Sequence, residues 1–214
     1  MIGVRATIFD LDGTLAETHH MAIELIADAI IVGGGRTLED HEVVALFGRN
    51  EQGIFRDAVG ETWEKAWDFY LQEYETRHEK AAVPFPGIVD LLRDLKEAGV
   101  RLGVITAKTF TTGSLSLRAL GLETCFEEVR GGGPDRVTKA EQISELVTLW
   151  ALDPDSVVYV GDTPTDMTEA RGAGVVSVAA CWSVFADRDS LAGSNPDFIF
   201  DSADELRAWI FADL

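Results

Sequence analysis

Cysteine is scarce in this chain: Cys125 and Cys181 are the only two among 214 residues. They stand far apart and form no C-x-x-C pair, which argues against a disulfide framework or a thiolate zinc site and leaves them as small buried apolar residues. Basic residues are few as well. Eighteen Lys and Arg face 37 Asp and Glu, a formal charge of −19. That balance disfavours nucleic acid and anionic membrane as partners, because both are held by basic patches. It also means that any anionic substrate must find locally placed positive charge. No apolar run approaches the roughly 20 residues that span a bilayer. The first residues carry acids inside a strand-like pattern rather than a basic stretch followed by a secretory apolar segment, so the expected location is the cytoplasm. The glycine runs "VGGGR" at 32–36 and "RGGGP" at 130–134 match neither G-x-x-x-x-G-K-[ST] nor G-x-G-x-x-G after a strand and read as flexible turns. His19, His20, His41 and His78 have no metal-ligand spacing and read as surface residues, with an approach of the first two to the entrance of the inserted block as the alternative.

Hydrophobic residues nevertheless make up 46% of the chain, enough for a globular protein with a sizeable core. Short β-branched or aromatic runs recur: "VRATIF" at 4–9, "RLGVIT" at 101–106, "SVVYV" at 156–160, "VVSVA" at 175–179 and "DFIF" at 197–200. Each has the length of a buried strand. Helical patterns lie between them. "IVDLLRDLKEAG" puts Ile88, Leu91, Leu92 and Leu95 on one stripe and stops at Gly99. "KAEQISELVTLWAL" does the same with Ile143, Leu146, Val147 and Trp150, and "SADELRAWI" opens on Ser202 as N-cap. Strand alternating with helix predicts an α/β fold with a parallel sheet covered on both faces. Residues 16–83 break that rhythm. They lack strands and carry helical periodicity, as in "MAIELIADAII" and "TWEKAWDFYLQEYETRHEK", with Trp63 and Trp67 as packing residues, until "VPFPG" at 83–87 leads out. The expected organisation is a catalytic core of residues 1–15 and 84–214 with an inserted helical block, 16–83, over the end of the first strand.

Polar residues follow the apolar runs at telling places. The first run ends in Asp10 and Asp12, the second in Thr106, and the third in "GDTPTD", which supplies Asp162 and Asp166. In an open parallel sheet, ligands sit at the carboxyl ends of the strands, so these oxygens converge. Lys139 and Lys108 are competing sources of positive charge. Carboxylates gathered together repel and raise one another's pKa unless a cation joins them. Their hard oxygens suit magnesium, with water and substrate phosphate completing its shell. An aspartate is also a covalent nucleophile toward phosphorus. Positions i and i+2 of an extended segment share a side, so one of Asp10 and Asp12 attacks while the other passes protons. A calcium-binding EF-hand is rejected, because it needs glycine at the sixth loop position and Gly13 falls at the fourth. Arg49, in "LFGRNEQG", is placed to meet an anionic group of the substrate.

"FDLDGTL", then the strand-terminal threonine of "VITAK", then a lysine, then "GDTPTD" resembles the four ordered motifs of the haloacid dehalogenase superfamily. The inserted helical block is similar to the C1 cap of its phosphoglycolate phosphatase-like and β-phosphoglucomutase-like branch. The resemblance implies a Rossmann-like core and magnesium-dependent hydrolysis of a small phosphate monoester, of phosphoglycolate or sugar phosphate type. It casts Asp10 as nucleophile, Asp12 as general acid and base, and Thr106 and Lys139 as the phosphoryl-binding pair. It makes Asp162 the metal ligand, working with Asp10 and the Asp12 backbone carbonyl, and Asp166 the supporting acid that orients the metal's shell or Lys139. Its implied partner is a small phosphorylated metabolite. Two stretches depart from the pattern: "KAEQ" stands where K-P-x-P is usual, and "DGTLAET" where D-G-T-L-x-D-S is usual. A phosphomutase is the alternative on the same scaffold. A regulatory module that accepts phosphate on Asp10 is a further one, disfavoured by the chain's length and insertion.

Overall fold

A computed structural model of the chain describes residues 3–81, 83–135 and 139–212, with backbone alone at 79–81. The opening apolar run forms β1 (Ala6–Phe9), buried at every position. Because side chains alternate along a strand, Ile8 faces one side of the sheet and Phe9 the other, each inside a separate apolar cluster. The later runs give β2 (Arg101–Ile105), β4 (Val157–Gly161), β5 (Val176–Ala180) and β6 (Phe198–Phe200), and a short edge strand, β3 (Glu128–Arg130), completes the set. Among the described residues the sheet has six strands in the order β3-β2-β1-β4-β5-β6, parallel throughout. β1 therefore lies at the centre, where the chain's progression reverses direction and ligand crevices form in such sheets. The register pairs Phe9 with both Val104 and Val160. Asp10, Thr106 and Asp162 consequently leave the sheet at the same end.

Helices cover both faces. On one, α5 (Ile88–Glu97) and α10 (Ala203–Ala212) bury Ile88, Leu91, Leu92, Leu95, Leu206 and Ile210. Each fully buried aliphatic side chain of this kind is worth about 1.5–3 kcal/mol relative to exposure. On the other, α7 (Lys139–Leu149) lays Ile143, Leu146 and Val147, followed by Trp150, against Ile8 and Tyr159. Ser202 caps α10 as expected, its Oγ accepting from the Glu205 amide at 3.2 Å. Three helices carry no strong apolar stripe in the sequence: α6 (Phe110–Ala119), α8 (Pro164–Gly172) and α9 (Arg188–Gly193).

Between β1 and α5 the chain forms only helices: α1 (His19–Val32), α2 (Asp40–Val44), α3 (Glu51–Val59) and α4 (Trp63–Ala81). They gather a further cluster, in which Leu25, Ile30, Phe55, Tyr70 and Tyr74 are fully buried, Trp63 and Trp67 pack at the edge, and Leu115 of α6 joins from the core. The chain enters and leaves this block side by side. Ala16 bridges to Pro84, and the Phe85 amide donates to the Leu15 carbonyl at 3.0 Å. The two thiols, expected to be buried, are half-buried and unpaired. Cys125 packs at the edge of the α5 cluster and Cys181 beside Met167. Among the described residues no helix is long and apolar enough to cross a membrane.

Candidate active site

The turn after β1 brings the first carboxylate to its neighbours. Gly13 has φ +72°, the left-handed region that glycine adopts without penalty. A methyl group there would stand 2.0 Å from Asp162 Oδ2. Only glycine lets the β1 turn pass so close to the end of β4. Asp166 is placed by the start of α8. Thr163 is the N-cap and Pro164 the first helical residue, and Thr163 Oγ1 accepts from the Asp166 amide at 3.2 Å. Asp166 Oδ2 answers by accepting from the Thr163 amide at 3.1 Å and hydroxyl at 2.6 Å, a reciprocal capping box. Its other oxygen, Oδ1, accepts from Lys139 Nζ at 2.7 Å and from the Tyr159 hydroxyl at 3.1 Å. The same side chain thus serves as a helix cap and as a partner of Lys139.

Asp10, Asp162 and Asp166 are all buried, and one oxygen from each falls within 4.8 Å of the others. Lys139 Nζ lies 3.1 Å from Asp10 Oδ1. That pair lacks hydrogen-bond alignment, so Asp10 Oδ1, like Asp162 Oδ1, is buried with no hydrogen-bond partner among the described residues. Burial pushes the Asp10 carboxyl up to about 7, Lys139 pulling it down and the Asp166 charge adding to the rise. Burial, and then the charge of Asp166, holds Asp162 well above the ordinary carboxylate range. Burial also opposes ionisation of Asp166, but Lys139 overcomes it and keeps that carboxyl below its usual value. Burial works against the Lys139 charge too, yet Asp10 and Asp166 hold its proton far more tightly than in water. Buried acids with raised proton affinity and orphaned oxygens are what a hard divalent cation satisfies, so Asp10 and Asp162 fit a metal.

Asp12 faces a different set of partners. It accepts a short hydrogen bond from the Thr18 hydroxyl and pairs with Lys108 Nζ at 3.4 Å. Burial raises its proton affinity, but Lys108 and then His19 outweigh it, and the carboxyl titrates below its usual range. The sequence leaves Lys108 and Lys139 as competitors; in the structure they divide the acids, Lys139 serving Asp10 and Asp166, and Lys108 serving Asp12. Thr106 is buried at the end of β2, and its Oγ1 accepts from the Lys108 amide at 3.3 Å.

The acids and the two lysines line a cavity of about 300 Å³, whereas Thr106 lies behind its wall, where Ala107 and Lys108 are exposed to it. Its floor is Asp10, Asp12, Lys108, Lys139, Asp162 and Asp166, and its roof is Ala22, Ile26, Phe47, Arg49 and Ile54 from the helical block. His19, expected at the surface, instead lines the cavity, with Nδ1 2.9 Å from Glu17 Oε1 and its ring against Phe185. Arg49 is also at the wall, paired with Asp57 at 2.7 Å. A wider cleft of about 900 Å³ opens at the amino ends of β4 and β5, but Asp197 there already accepts from the Ser177 amide and hydroxyl. One wall residue escapes sequence reasoning. Glu51 is buried at the start of α3 and accepts from the Thr109 amide at 2.8 Å and the Thr112 hydroxyl at 2.7 Å. Its partners are about 60 residues away, and the only local signal is Asn50, which caps α3 by accepting from the Gly53 amide.

Comparison with known proteins agrees with this geometry. The model of a family described as haloacid dehalogenase-like hydrolase matches residues 7–180. A phosphoglycolate phosphatase of Synechococcus elongatus is 28% identical over 207 residues, covering 95% of each chain. The tyrosine-protein kinase PtkA of Mycobacterium tuberculosis is 30% identical over 205 residues, 94% of this chain and 70% of that protein. Among solved structures, a predicted phosphoglycolate phosphatase from Haemophilus somnus superposes with a TM-score of 0.82 at 23% identity, over 98% of this chain and 99% of the other. That likeness is one of fold.

Proposed function

We propose, for a chain that belongs to the haloacid dehalogenase-like hydrolase family, that this phosphatase hydrolyses a small phosphate monoester through an aspartyl-phosphate on Asp10. The observation that carries the proposal is the meeting of Asp10, Asp162 and Asp166 around Lys139 at the carboxyl end of the sheet, with an orphaned oxygen on each of the first two. The phosphoglycolate phosphatase among its relatives supports a substrate of that size, phosphoglycolate or a sugar phosphate, as the small phosphorylated partner.

Asp10 and Asp162, with the Asp12 backbone carbonyl, would hold magnesium, which neutralises phosphoryl oxygens and holds Asp10 ionised. Lys139, tethered by Asp166, and the Thr106 hydroxyl bind the remaining phosphoryl oxygens. A carboxylate oxygen of Asp10 attacks phosphorus while the bond to the ester oxygen breaks, and Asp12 gives that oxygen its proton. Asp12 rests ionised beside Lys108, and the arriving phosphate, a like charge at close range, raises its affinity for the proton it must carry. In the second half Asp12 takes a proton from water as the water oxygen attacks phosphorus. The bond from phosphorus to the Asp10 oxygen breaks and inorganic phosphate leaves. Residues 16–83 act as a cap over the core of residues 1–15 and 84–214, supported by their apolar cluster and adjacent connections, and exclude bulk water during transfer. The two unpaired thiols agree with the cytoplasm as its setting.

The test is direct. Purified protein with magnesium should release phosphate from an aryl phosphate, and Asp10→Asn should abolish turnover. Wild-type activity in that variant would refute the mechanism, and an isomerised ester in place of free phosphate would identify a mutase.

A further inference from the structure

The floor and the roof of the cavity are joined at a specific place. We infer that Glu51 is a docking residue that clasps the helical block shut on the core and holds Lys108 against Asp12. The inference rests on the phosphatase reading for what closure accomplishes; the clasp itself stands on contacts alone.

Glu51 belongs to α3, yet it is buried in the core's own polar groups. Oε2 accepts from the Thr109 amide and Oε1 from the Thr112 hydroxyl, at the first turn of α6, where the backbone offers free donors and the helix dipole favours an anion. Lys108 Nζ is 4.0 Å from Glu51 Oε1 and 3.4 Å from Asp12 Oδ1, and 5.3 Å from the centre of the Tyr74 ring of α4. The ammonium thus stands between one carboxylate of the core and one of the helical block. Opening the block removes the second and takes the acceptor from the Thr109 amide at the start of α6.

A second latch lies beside it. Asn50 Nδ2 donates to the Gly132 carbonyl at 2.9 Å, and the Asn50 amide donates to the Gly133 carbonyl at 3.1 Å. A methyl group on Gly53 would come within 2.0 Å of the Pro134 carbonyl oxygen, so α3 needs glycine to approach so near. The glycine run at 130–134, expected to be a flexible turn, is instead a shelf that receives α3. This seam involves α3, whereas the chain connections run through Ala16 and Pro84. The block is therefore tied covalently at one place and elsewhere by reversible contacts, the α3 seam together with the 2.7 Å hydrogen bond between Tyr74 of α4 and Ser116 of α6, the arrangement of a hinge and its clasp.

The clasp predicts a local effect that a general loss of stability would not produce. Hydrogen bonds to a charged acceptor are stronger than those to a neutral one. In the full-length protein Glu51→Ala should accordingly speed amide hydrogen exchange at Thr109 by about tenfold or more, with β4 amides unchanged, and lower kcat/KM on the aryl phosphate by about tenfold. Glu51→Gln keeps an acceptor but loses the charge facing Lys108; it should retain most of the Thr109 protection while losing activity. Thr112→Val, a near-isosteric change, should show a smaller rise in Thr109 exchange and serves if Glu51→Ala folds poorly. Thr109 exchange at the wild-type rate in both Glu51→Ala and Thr112→Val would overturn the clasp. So would kcat/KM within twofold of wild type in Glu51→Ala. The exchange arm also runs on Asp10→Asn protein and needs no turnover, so failure of the phosphatase reading leaves it decisive.

Discussion

Lys139 is the cation on which the buried acids depend, and replacing it exposes that dependence. In Lys139→Met the side-chain volume is nearly kept while Asp10 and Asp166 lose their shared ammonium, 3.1 and 2.7 Å away. Breaking a buried pair from one side costs about 3–5 kcal/mol. The Asp166 carboxyl sets its own ceiling, since it can take up a proton instead of remaining an unpaired charge. An Asp that ionises near 3.9 in the unfolded chain and stays protonated in the fold at pH 7 costs ~4 kcal/mol, three pH units at about 1.4 kcal/mol each. The sign follows from proton counts. In the variant the folded state binds a proton that the unfolded state has released, so stability falls as pH rises above 3.9. The penalty should shrink to ~1.5 kcal/mol at pH 5. For a chain of this length each kcal/mol moves the melting midpoint by about 2–4 °C, giving a loss of about 8–16 °C at pH 7 and about 3–6 °C at pH 5 relative to wild type. Differential scanning calorimetry in EDTA measures both. The double variant Lys139→Met/Asp166→Asn, which removes the charge as well as its partner, should recover much of the pH 7 loss while remaining inactive. An unchanged midpoint in the single variant, or a double variant no more stable than it, would refute the claim that Lys139 compensates buried charge.

Magnesium in place of EDTA should raise the wild-type melting midpoint, by about 2.7 kcal/mol of added stability at a hundred times its dissociation constant, and Asp162→Asn should abolish that increase. His78, fully buried on α4 against Tyr74 with both ring nitrogens unpartnered, is held by burial at a pKa of about 4. The unfolded chain binds its proton first on acidification, so wild type should lose up to ~3 kcal/mol relative to His78→Phe between pH 6.5 and pH 4, read as the difference between their urea midpoints.

The legible parts of this fold were those with one-dimensional signals. β1 and β2 appear within the runs that announced them because buried parallel strands are apolar on both faces, and α5 because its stripe faces a single cluster. β3 escaped notice. It is three half-buried residues with Glu128 and Arg130 at its ends, and an edge strand of that length owes its pairing to β2 rather than to its composition. α8 buries only Asp166, Met167 and Ala170, so no apolar period marks it, although the Thr-Pro-Thr-Asp start carried a capping signature. The acids could be located because they follow strands whose register brings their ends together. Which lysine serves which acid, and the burial of Glu51 in another element's first turn, depend on contacts between residues far apart in sequence, from Lys139 with Asp166 to Lys139 with Asp10, which no local pattern encodes.

The charge of the chain then meets the charge of the site. A protein at −19 that receives an anion must reverse its field locally, yet the described residues lining the cavity include five carboxylates, Asp10, Asp12, Glu51, Asp162 and Asp166, against the cations of Arg49, Lys108 and Lys139. With every acid ionised the pocket is still negative by two. Protonation of Asp10, whose carboxyl titrates at about 7, relieves part of that excess but would disable it in the proposed role of nucleophile. A divalent cation held by Asp10 and Asp162, as proposed, would remove the excess without taking the carboxylate oxygen's electrons into an O–H bond. On that arithmetic, raising pH without a divalent ion frees the nucleophile only by making the cavity more repellent to the phosphate it must attack, whereas the ion makes an ionised Asp10 and a bound phosphate compatible.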